Sequence, residues 1–414
     1  MAGDMAPSTS YAASDLTSPE VIANPFPAYA ALRASSPVAG FVDYPPGTVP
    51  GVDDPVTAWA FLTYDQVSAA LRDHRTFSSR DPIQEASEAP TLMLGNTDQP
   101  LHTLHRKLIN KAFTRKRVQA MGPWLEQSVR ELVAAMPTGE EIEVSHTICA
   151  ELPARVICRF VGTPDSLAPT FRRWTTAFML TEDLPAEERN ASNMEMGGFF
   201  FKVCQERMAA LEGGEEPGDG LIDAMILAEV DGQRLSLEEV VRFCITLMIA
   251  GAETTMYFIG NVLNAMVEFP EATEQLRADR SLIQAFIDET MRLTGPPQRL
   301  FRIANQDVEV DGQQIREGDW VALFFGAANH DPAVFPDPER FRLDRANAAK
   351  HLSLGQGIHY CLGAPLAHLE LEYFVNAVLD RFARIERGPS PAVKQAASLM
   401  THGYARLPLV FHEH

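Results

Sequence analysis

The sequence predicts a mainly α-helical fold that carries small β-sheets. Apolar residues recur at the three- and four-residue spacing of amphipathic helices along most of the chain. Strand patterns are fewer: residues 307–315 alternate around Asp311-Gly312, a hairpin signal, and residues 320–323 predict a following strand. Residues 329–345 are rich in proline and aspartate, which predicts irregular coil. The predicted helices occupy residues 25–34, 65–73, 101–113, 115–136, 147–162, 195–212, 236–267, 271–278, 281–293 and 364–384.

The 414 residues are expected to form one large domain behind a short tail. Residues 1–20 have the composition of a flexible N-terminal tail, and no linker or repeat divides residues 21–414. The five cysteines are widely spaced and odd in number, which argues against a disulfide framework or a zinc site and is typical of a reducing cytoplasm. No basic region followed by an apolar run suggests a signal peptide or membrane anchor, so we expect a soluble, cytoplasmic protein.

The charge of the chain bears on its partners. A formal net charge of −20 disfavours binding to nucleic acids or anionic membranes, because like charges repel. Against this background residues 105–117 form a basic run. Taken alone, such a run is more often a solvated helix face than a docking site.

The segment 236–267 predicts a long central helix with an unusual middle. Ser236 and Glu239 have the form of a capping box, and the helix would be about 48 Å long at about 1.5 Å per residue. Its surface is apolar almost all round, which predicts burial. Residues 250–255, AGAETT, are mostly small, leave room for a flat ligand and predict a local distortion. Glu253 would be costly to bury unless it pairs in a structural salt bridge or relays protons.

The most specific pattern in the chain is Gly355-x-Gly357-x-His359-x-Cys361-x-Gly363. Its cysteine lies in a tight loop just before the last predicted helix, where free backbone N–H groups and the helix dipole favour the thiolate. Such a sulfur is a good metal ligand or nucleophile. A buried apolar cysteine is the alternative, but the spaced set would arise by chance on the order of 10⁻⁵ times.

These motifs together resemble the cytochrome P450 superfamily. The cysteine pattern resembles the haem-binding loop of that family, and residues 250–254 resemble its oxygen-activation motif of small residue, glycine, any residue, acid and threonine. The resemblance implies a P450 fold with the long central helix over the haem, and a haem-thiolate monooxygenase of the soluble bacterial type. Leu354 departs from the family, which usually has phenylalanine there, so the sulfur packing and the redox potential are expected to differ.

The resemblance also implies roles for individual residues. Cys361 would be the axial thiolate of haem b, a ligand type that favours O–O cleavage. Thr254 would hold a hydrogen-bonded water near bound O₂, and Glu253 would help to deliver protons. Further cofactor-binding residues would be Gly355 and Gly363 of the loop, with His102, Arg106, Arg302 and His359 as partners of the haem propionates.

A structural role is implied for Glu289 and Arg292, which lie three apart on one face of a predicted helix. Alone the pattern is weak, but its place before the cysteine loop matches the Glu/Arg pair of the family. The third partner of that pair would come from the coil before the loop, where Arg340 is preferred to Arg342.

The positions expected to face the distal pocket are mostly small or apolar, which implies a small to medium hydrophobic organic substrate. They are Leu247, Ala250, Gly251, Gln298, Leu300, Met400 and Thr401, with further residues in the segment 81–96.

Separate redox partners are also expected. No flavin- or iron–sulfur-binding segment follows residue 384, so two electrons would come from a ferredoxin and a reductase that uses NAD(P)H. Arg106 on the haem-proximal side would place its basic neighbours where an acidic ferredoxin could dock. The docking candidates are Lys107, Lys111, Arg115 and Arg117.

Three alternatives stay open. A peroxide-driven oxygenase would not need Glu253 and Thr254, and a non-catalytic haem-binding sensor or carrier would have no use for them. The third is an α-rich protein with a buried cysteine and no cofactor, which a colourless purified protein would support.

Overall fold

Helices make up most of the chain, as predicted. The structure, a computed structural model, describes residues 11–43, 55–86, 92–179 and 184–414. The α-helices in these ranges are α1 (Pro19–Ala23), α2 (Phe26–Arg33), α3 (Tyr64–Arg72), α4 (Pro82–Ala86), α5 (Leu101–Ala112), α6 (Arg115–Ala120), α7 (Gly122–Ala134), α8 (Ala150–Val161), α9 (Ala168–Met179), α10 (Ala186–Glu212), α11 (Leu221–Leu227), α12 (Leu237–Glu268), α13 (Pro270–Ala278), α14 (Ile283–Thr294), α15 (Phe325–Asn329) and α16 (Ala364–Arg381).

The strands form small sheets, of which the largest has the order β1-β2-β10-β7-β3. In this sheet β10 pairs in parallel with β2 and antiparallel with β7. The predicted hairpin is confirmed as β8 and β9, with Asp311 and Gly312 at positive φ in its turn. The strands are β1 (Val38–Asp43), β2 (Val56–Phe61), β3 (Phe77–Ser78), β4 (Glu141–Glu143), β5 (Glu229–Val230), β6 (Gln233–Arg234), β7 (Arg299–Ala304), β8 (Val308–Val310), β9 (Gln313–Ile315), β10 (Trp320–Phe324), β11 (Phe382–Arg387), β12 (Val393–Lys394), β13 (Tyr404–Arg406) and β14 (Pro408–Glu413).

Several element boundaries differ from the prediction. The segment 115–136 forms two helices, because Pro123 in the first turn of α7 starts a new helix there. The last predicted helix ends at Arg381, where β11 begins and pairs with β14. Helices α9 and α11 and strands β1 and β2 were not predicted.

The N-terminal segment is more ordered than expected. Residues 1–10 lie outside the described residues. Ala13–Thr17 form a 3₁₀ helix in which Leu16 is fully buried, so this part of the predicted tail is packed against the protein. Leu16 joins an apolar cluster with Phe41 and Phe324, which offsets the entropy of ordering the segment.

The central helix α12 begins at the predicted capping box, where the Glu239 amide donates to Ser236 Oγ at 3.2 Å and the Ser236 amide donates to Glu239 Oε2 at 2.8 Å. Glu239 Oε1 also lies 2.9 Å from His105 Nε2, which ties α5 to this end of α12. The helix is long and apolar enough by composition to cross a membrane, yet 67% of its most apolar window is buried inside the protein. The helix continues through residues 250–255 to Glu268, so the predicted distortion does not interrupt it.

A buried ion cluster organises the coil before the cysteine loop. Glu289 is fully buried, and its carboxylate accepts from Arg292 at 2.8 and 2.9 Å. The prediction that Arg340 is the third partner is wrong: Arg345 Nε donates to Glu289 Oε1 at 2.9 Å. Arg340 is exposed and contributes only its backbone carbonyl, because the coil turns back and brings Arg345 to the carboxylate. The Arg342 amide also donates to Glu289, at 3.0 Å.

This cluster continues to the start of the cysteine loop. Arg292 donates to the Asn329 carbonyl at 2.9 Å. The Asn329 side chain accepts from the Leu352 amide at 2.7 Å and donates to Ser353 Oγ at 2.8 Å. Ser353 in turn donates to the Met291 carbonyl on α14 at 2.8 Å. The loop therefore begins from a position that α14 determines.

Replacing Arg345 tests this assignment. Arg345→Ala leaves the Glu289 carboxylate buried with one cation fewer, so the free energy of unfolding is expected to fall by about 3 kcal/mol. Arg340→Ala is the matched control, and its effect is expected to stay within about 0.5 kcal/mol. Urea unfolding of both variants measures the difference, and an equal loss in the two would refute Arg345 as the partner.

Candidate active site

The cysteine loop is held by its backbone. Gly355 and Gly357 have positive φ, 68° and 67°, which side chains disfavour. At Gly357 an added Cβ would lie 2.6 Å from the Leu71 carbonyl oxygen, so the loop packs closely against α3. The Cys361 amide donates to the Leu354 carbonyl at 2.9 Å. Cys361 thus lies just before α16, as predicted.

The sulfur of Cys361 is surrounded by donors. The backbone N–H groups of Gly363 and Ala364 hydrogen-bond to it, and the Arg106 guanidinium acts on it electrostatically. These groups favour the thiolate, but burial outweighs them and raises the pKa of the Cys361 thiol above its usual value. The donors at the helix start therefore act in the predicted direction, but burial has the larger effect. A bound metal ion deprotonates a coordinating thiol outright.

Four predicted propionate partners come together near this sulfur. The imidazole rings of His102 and His359 lie with their centroids 4.4 Å apart. Arg302, on β7, is buried and acts on His359 electrostatically, while Arg106 acts on His102. Burial lowers the pKa of Arg302 to about 10, so Arg302 is still a cation at neutral pH. Burial also lowers the pKa of His102 to about 4 and that of His359 to about 3, so both rings are neutral.

This cluster fits the carboxylates of a haem. His102 is 2% exposed, and its buried Nε2 has no hydrogen-bond partner within the described residues. Together with the cations Arg106 and Arg302, this atom is suited to an anionic oxygen. His359 is engaged differently, because its Nε2 lies 2.9 Å from Ser79 Oγ.

Sequence reasoning missed Asp98, which supports this cluster. Its carboxylate accepts from the Ser79 amide at 3.0 Å and raises the pKa of Arg302 against the effect of burial. No pattern around Asp98 in the sequence distinguishes it from a surface aspartate.

One face of α12 is open in an otherwise buried helix. Ala250 is exposed, whereas its neighbours Ile249 and Ala252 are buried. Leu247 and Thr254 lie on the same face, three residues before and four residues after Ala250, and both are partly exposed. The side chains on this face are small or apolar, and the Thr254 hydroxyl lies at one end of it.

The oxygen-activation residues are placed on this helix. Thr254 Oγ1 donates to the Ala250 carbonyl, four residues back in the helix, at 2.6 Å. Glu253 is 4% exposed and thus buried. Gly251 contacts α8, since an added Cβ would lie 2.6 Å from Ile157 Cδ1. Packing against α8 explains this glycine, and the prediction that it contacts substrate is not supported there.

The other predicted substrate contacts divide into two groups. Leu300 is 41% exposed on β7, and Met400 is partly buried against the same apolar core as Leu247. Gln298 and Thr401 are 1% exposed. The prediction for Gln298 is contradicted, because its amide is held by Tyr29 Oη at 3.2 Å and by the Gly295 carbonyl at 2.8 Å.

The segment 81–96 is only partly described, since residues 87–91 lie outside the described residues. Met93 and Leu94, beyond this gap, are both buried.

The basic run lies on α5 and α6 beside Arg106. Lys107, Lys111 and Arg115 are exposed. Lys111 donates to the Glu229 carbonyl, and Arg117 donates to the Asp219 carbonyl. Among the four docking candidates, the most available charges are therefore on Lys107 and Arg115.

Comparisons with known proteins agree with this geometry. A family model described as cytochrome P450 matches residues 167–403. The chain is 35% identical over 379 residues to the cytochrome P450 monooxygenase PikC of Streptomyces venezuelae, covering 89% of this chain and 86% of PikC. It is 32% identical over 400 residues to the 6-deoxyerythronolide B hydroxylase of Saccharopolyspora erythraea, covering 92% of this chain and 94% of the hydroxylase.

Solved structures give the same result. The structure of cytochrome P450 CYP109Q5 from Chondromyces apiculatus superimposes with a TM-score of 0.84 at 31% identity, covering 96% of this chain and 98% of that one. Fold, sequence and site therefore agree, and this chain belongs to the cytochrome P450 family as a monooxygenase of bacterial type.

Proposed function

We propose that this P450 uses O₂ and two electrons from separate partner proteins to hydroxylate, or otherwise oxygenate, a small to medium hydrophobic organic molecule. The observation that carries the proposal is the convergence on Cys361 of two backbone donors and the Arg106 cation, beside the buried cluster of His102 and Arg302. The backbone donors and Arg106 would stabilise an anionic sulfur, and the cluster beside it would bind two carboxylates.

Haem b, the cofactor of the family, supplies the activation of O₂ when bound, and a thiolate ligand favours cleavage of the O–O bond. In this chain Cys361 Sγ would bind the iron. Arg106, Arg302 and His102 Nε2 would hold the propionates, and Gly355 and Gly363 would shape the loop around the sulfur.

Proton supply is assigned to α12. The Thr254 hydroxyl lies on the partly exposed face of the helix, where Oγ1 can accept from a water as it donates to the Ala250 carbonyl. Glu253 is the preceding residue and is buried, and a carboxyl at this position is suited to passing on protons. The need for this pair favours O₂ over a peroxide as the oxidant, and turnover over a sensor or carrier role.

The substrate is expected to pack on the open face of α12. Leu247, Ala250, Leu300 and Met400 give this region an apolar surface. Relatives of this chain are named for hydroxylation of 6-deoxyerythronolide B and of vitamin D3, and a related structure contains testosterone. Hydrophobic molecules of these kinds are therefore the first to screen, by the change of spin state that a bound substrate causes.

Electrons are proposed to come from a ferredoxin that a NAD(P)H-dependent reductase reduces, in the cytoplasm. Residues 21–414 would act as one domain in this reaction. The docking surface would be the basic run, because Arg106 faces Cys361 from the same helix that carries Lys107 and Lys111. Arg115 and Arg117 continue this surface on α6.

Replacing the proposed ligand tests the haem assignment. Cys361→His is expected to lose the long-wavelength Soret band of the reduced CO complex, because that band requires a thiolate on iron. The matched control is Cys158→Ser, which replaces a buried cysteine on α8, away from the cysteine loop, and should keep the band. Persistence of the band in Cys361→His would refute the assignment.

Replacing the threonine tests proton supply. Thr254→Ala is expected to keep haem and substrate binding but to divert most reducing equivalents into hydrogen peroxide or water, since the hydroxyl that holds the water is lost. Product formed per NADPH consumed is the measurement, with Thr255→Ala as the neighbouring control. Full coupling in Thr254→Ala would contradict the role.

Neutralising the basic run tests docking. In Lys107→Gln/Arg115→Gln the ferredoxin dissociation constant at low salt is expected to rise about threefold to tenfold and to depend less on salt. The charge-matched control is Arg130→Gln/Lys202→Gln, at exposed positions on α7 and α10. If both double variants bind alike, the ferredoxin docks elsewhere.

A further inference from the structure

A side chain that the proposed mechanism does not use links α12 to a segment outside it. Thr246 Oγ1 accepts from the Met93 amide at 2.8 Å and donates to the Arg242 carbonyl at 2.8 Å. Thr246 directly precedes Leu247 and lies one helical turn before Ala250, on the part of α12 where the open face begins. The hydroxyl thus joins the backbone of residues 92–96 to the edge of this face.

The same segment is fixed from the opposite side. The backbone of Leu94 lies next to the ring of His359, which belongs to the cysteine loop, and interacts with it. Residues 93 and 94 therefore bridge the cleft between α12 and that loop, with Thr246 at one end of the bridge and His359 at the other.

The bridge has a strained backbone. Leu94 has φ of 65°, in the left-handed region that leucine rarely adopts. Its side chain is 9% exposed and that of Met93 is 3% exposed, and both belong to the apolar core that α12 shares. A conformation of this kind persists only where its surroundings hold it, and the Thr246 hydroxyl is a specific part of those surroundings.

We propose that Thr246 is a positioning residue: its hydroxyl holds Met93 and Leu94 as one wall of the cleft between α12 and the cysteine loop, and so limits the size of the molecule that enters. The inference rests on the proposed function, in which this cleft receives the substrate. On this proposal, the hydrogen bond from the Met93 amide to Thr246 limits the size of the substrate, and no side chain that touches the substrate is needed for that limit.

The bond to Met93 distinguishes Thr246 from other threonines of the core. Thr290 on α14 is fully buried, and its hydroxyl donates to the Phe286 carbonyl four residues back at 2.7 Å. Thr246 makes the same bond within its helix and in addition accepts from another segment. Thr290→Val therefore controls for the loss of a helical threonine hydroxyl.

The first test measures mobility in the full-length holoenzyme. Thr246→Val keeps the shape and branching of the side chain but removes the acceptor. Amides of residues 92–98 are expected to exchange hydrogen for deuterium about fivefold faster, the effect of losing one buried hydrogen bond. Thr246→Ser should restore protection, and Thr290→Val should leave this segment unchanged. Unchanged exchange in Thr246→Val would overturn the proposal.

The second test measures the cleft, with imidazole and 4-phenylimidazole as probes that bind haem iron. Thr246→Val is expected to weaken binding of the phenyl compound about threefold relative to imidazole, because a mobile wall must be ordered when a large ligand packs on it. An unchanged ratio of the two dissociation constants would overturn the role in size selection, even if exchange increases.

These readouts separate the inference from the function on which it rests. If the CO band of the parent enzyme shows no thiolate ligand, the proposed function fails, whereas the exchange experiment still reports on the bond between Thr246 and Met93. If the band is normal and exchange is unchanged, only the inference fails.

Discussion

Glu289 is a carboxylate with no access to water, and the position of the cysteine loop depends on how its charge is neutralised. Removing an ion from water costs several kcal/mol unless cations and donors surround it. Two guanidinium groups, from Arg292 and Arg345, and one backbone amide meet this need. Residues 336–345 have no regular secondary structure, so the need to neutralise Glu289 determines the path of this coil. The hydrogen bond between Asn329 and Ser353 then connects this cluster to the start of the cysteine loop.

The second constraint is the close packing of α12. A helix buried on nearly all sides must leave one face open if it is to border a binding cleft, and small side chains at its middle provide that space. Gly251 sets the distance to α8 through Ile157, while Ala250 leaves the face exposed. On the other side of the site the cations Arg106 and Arg302 are held partly or wholly out of water, and Arg106 acts on the sulfur. A haem, which has a flat apolar body and two carboxylates, matches both the open face of α12 and the cations opposite it.

The sequence predicted what depends on local spacing and missed what depends on the path of the chain. The cysteine loop and the bounds of α12 were predictable, because a capping box and a glycine pattern act within a few residues. The partner of Glu289 was not: the candidates were Arg340 and Arg342, and the path of an irregular coil brings Arg345 to the carboxylate instead. The resemblance placed Gln298 in the substrate pocket, and the bond that holds it to Tyr29 could not be foreseen because it joins residues far apart in sequence. The raised pKa of Cys361 follows from burial, which no motif reports.

The parallel pairing of β2 with β10 has a consequence for the order of folding. Ala58 lies opposite Trp320, so closing the largest sheet brings together residues about 260 positions apart, a slow step for any chain. Arg302 lies on β7, directly against β10, where its partner is Val321. The cation that would hold a propionate thus lies in a sheet whose two halves come from opposite ends of the protein. During synthesis, this edge of the site therefore cannot form until residues beyond 320 have left the ribosome.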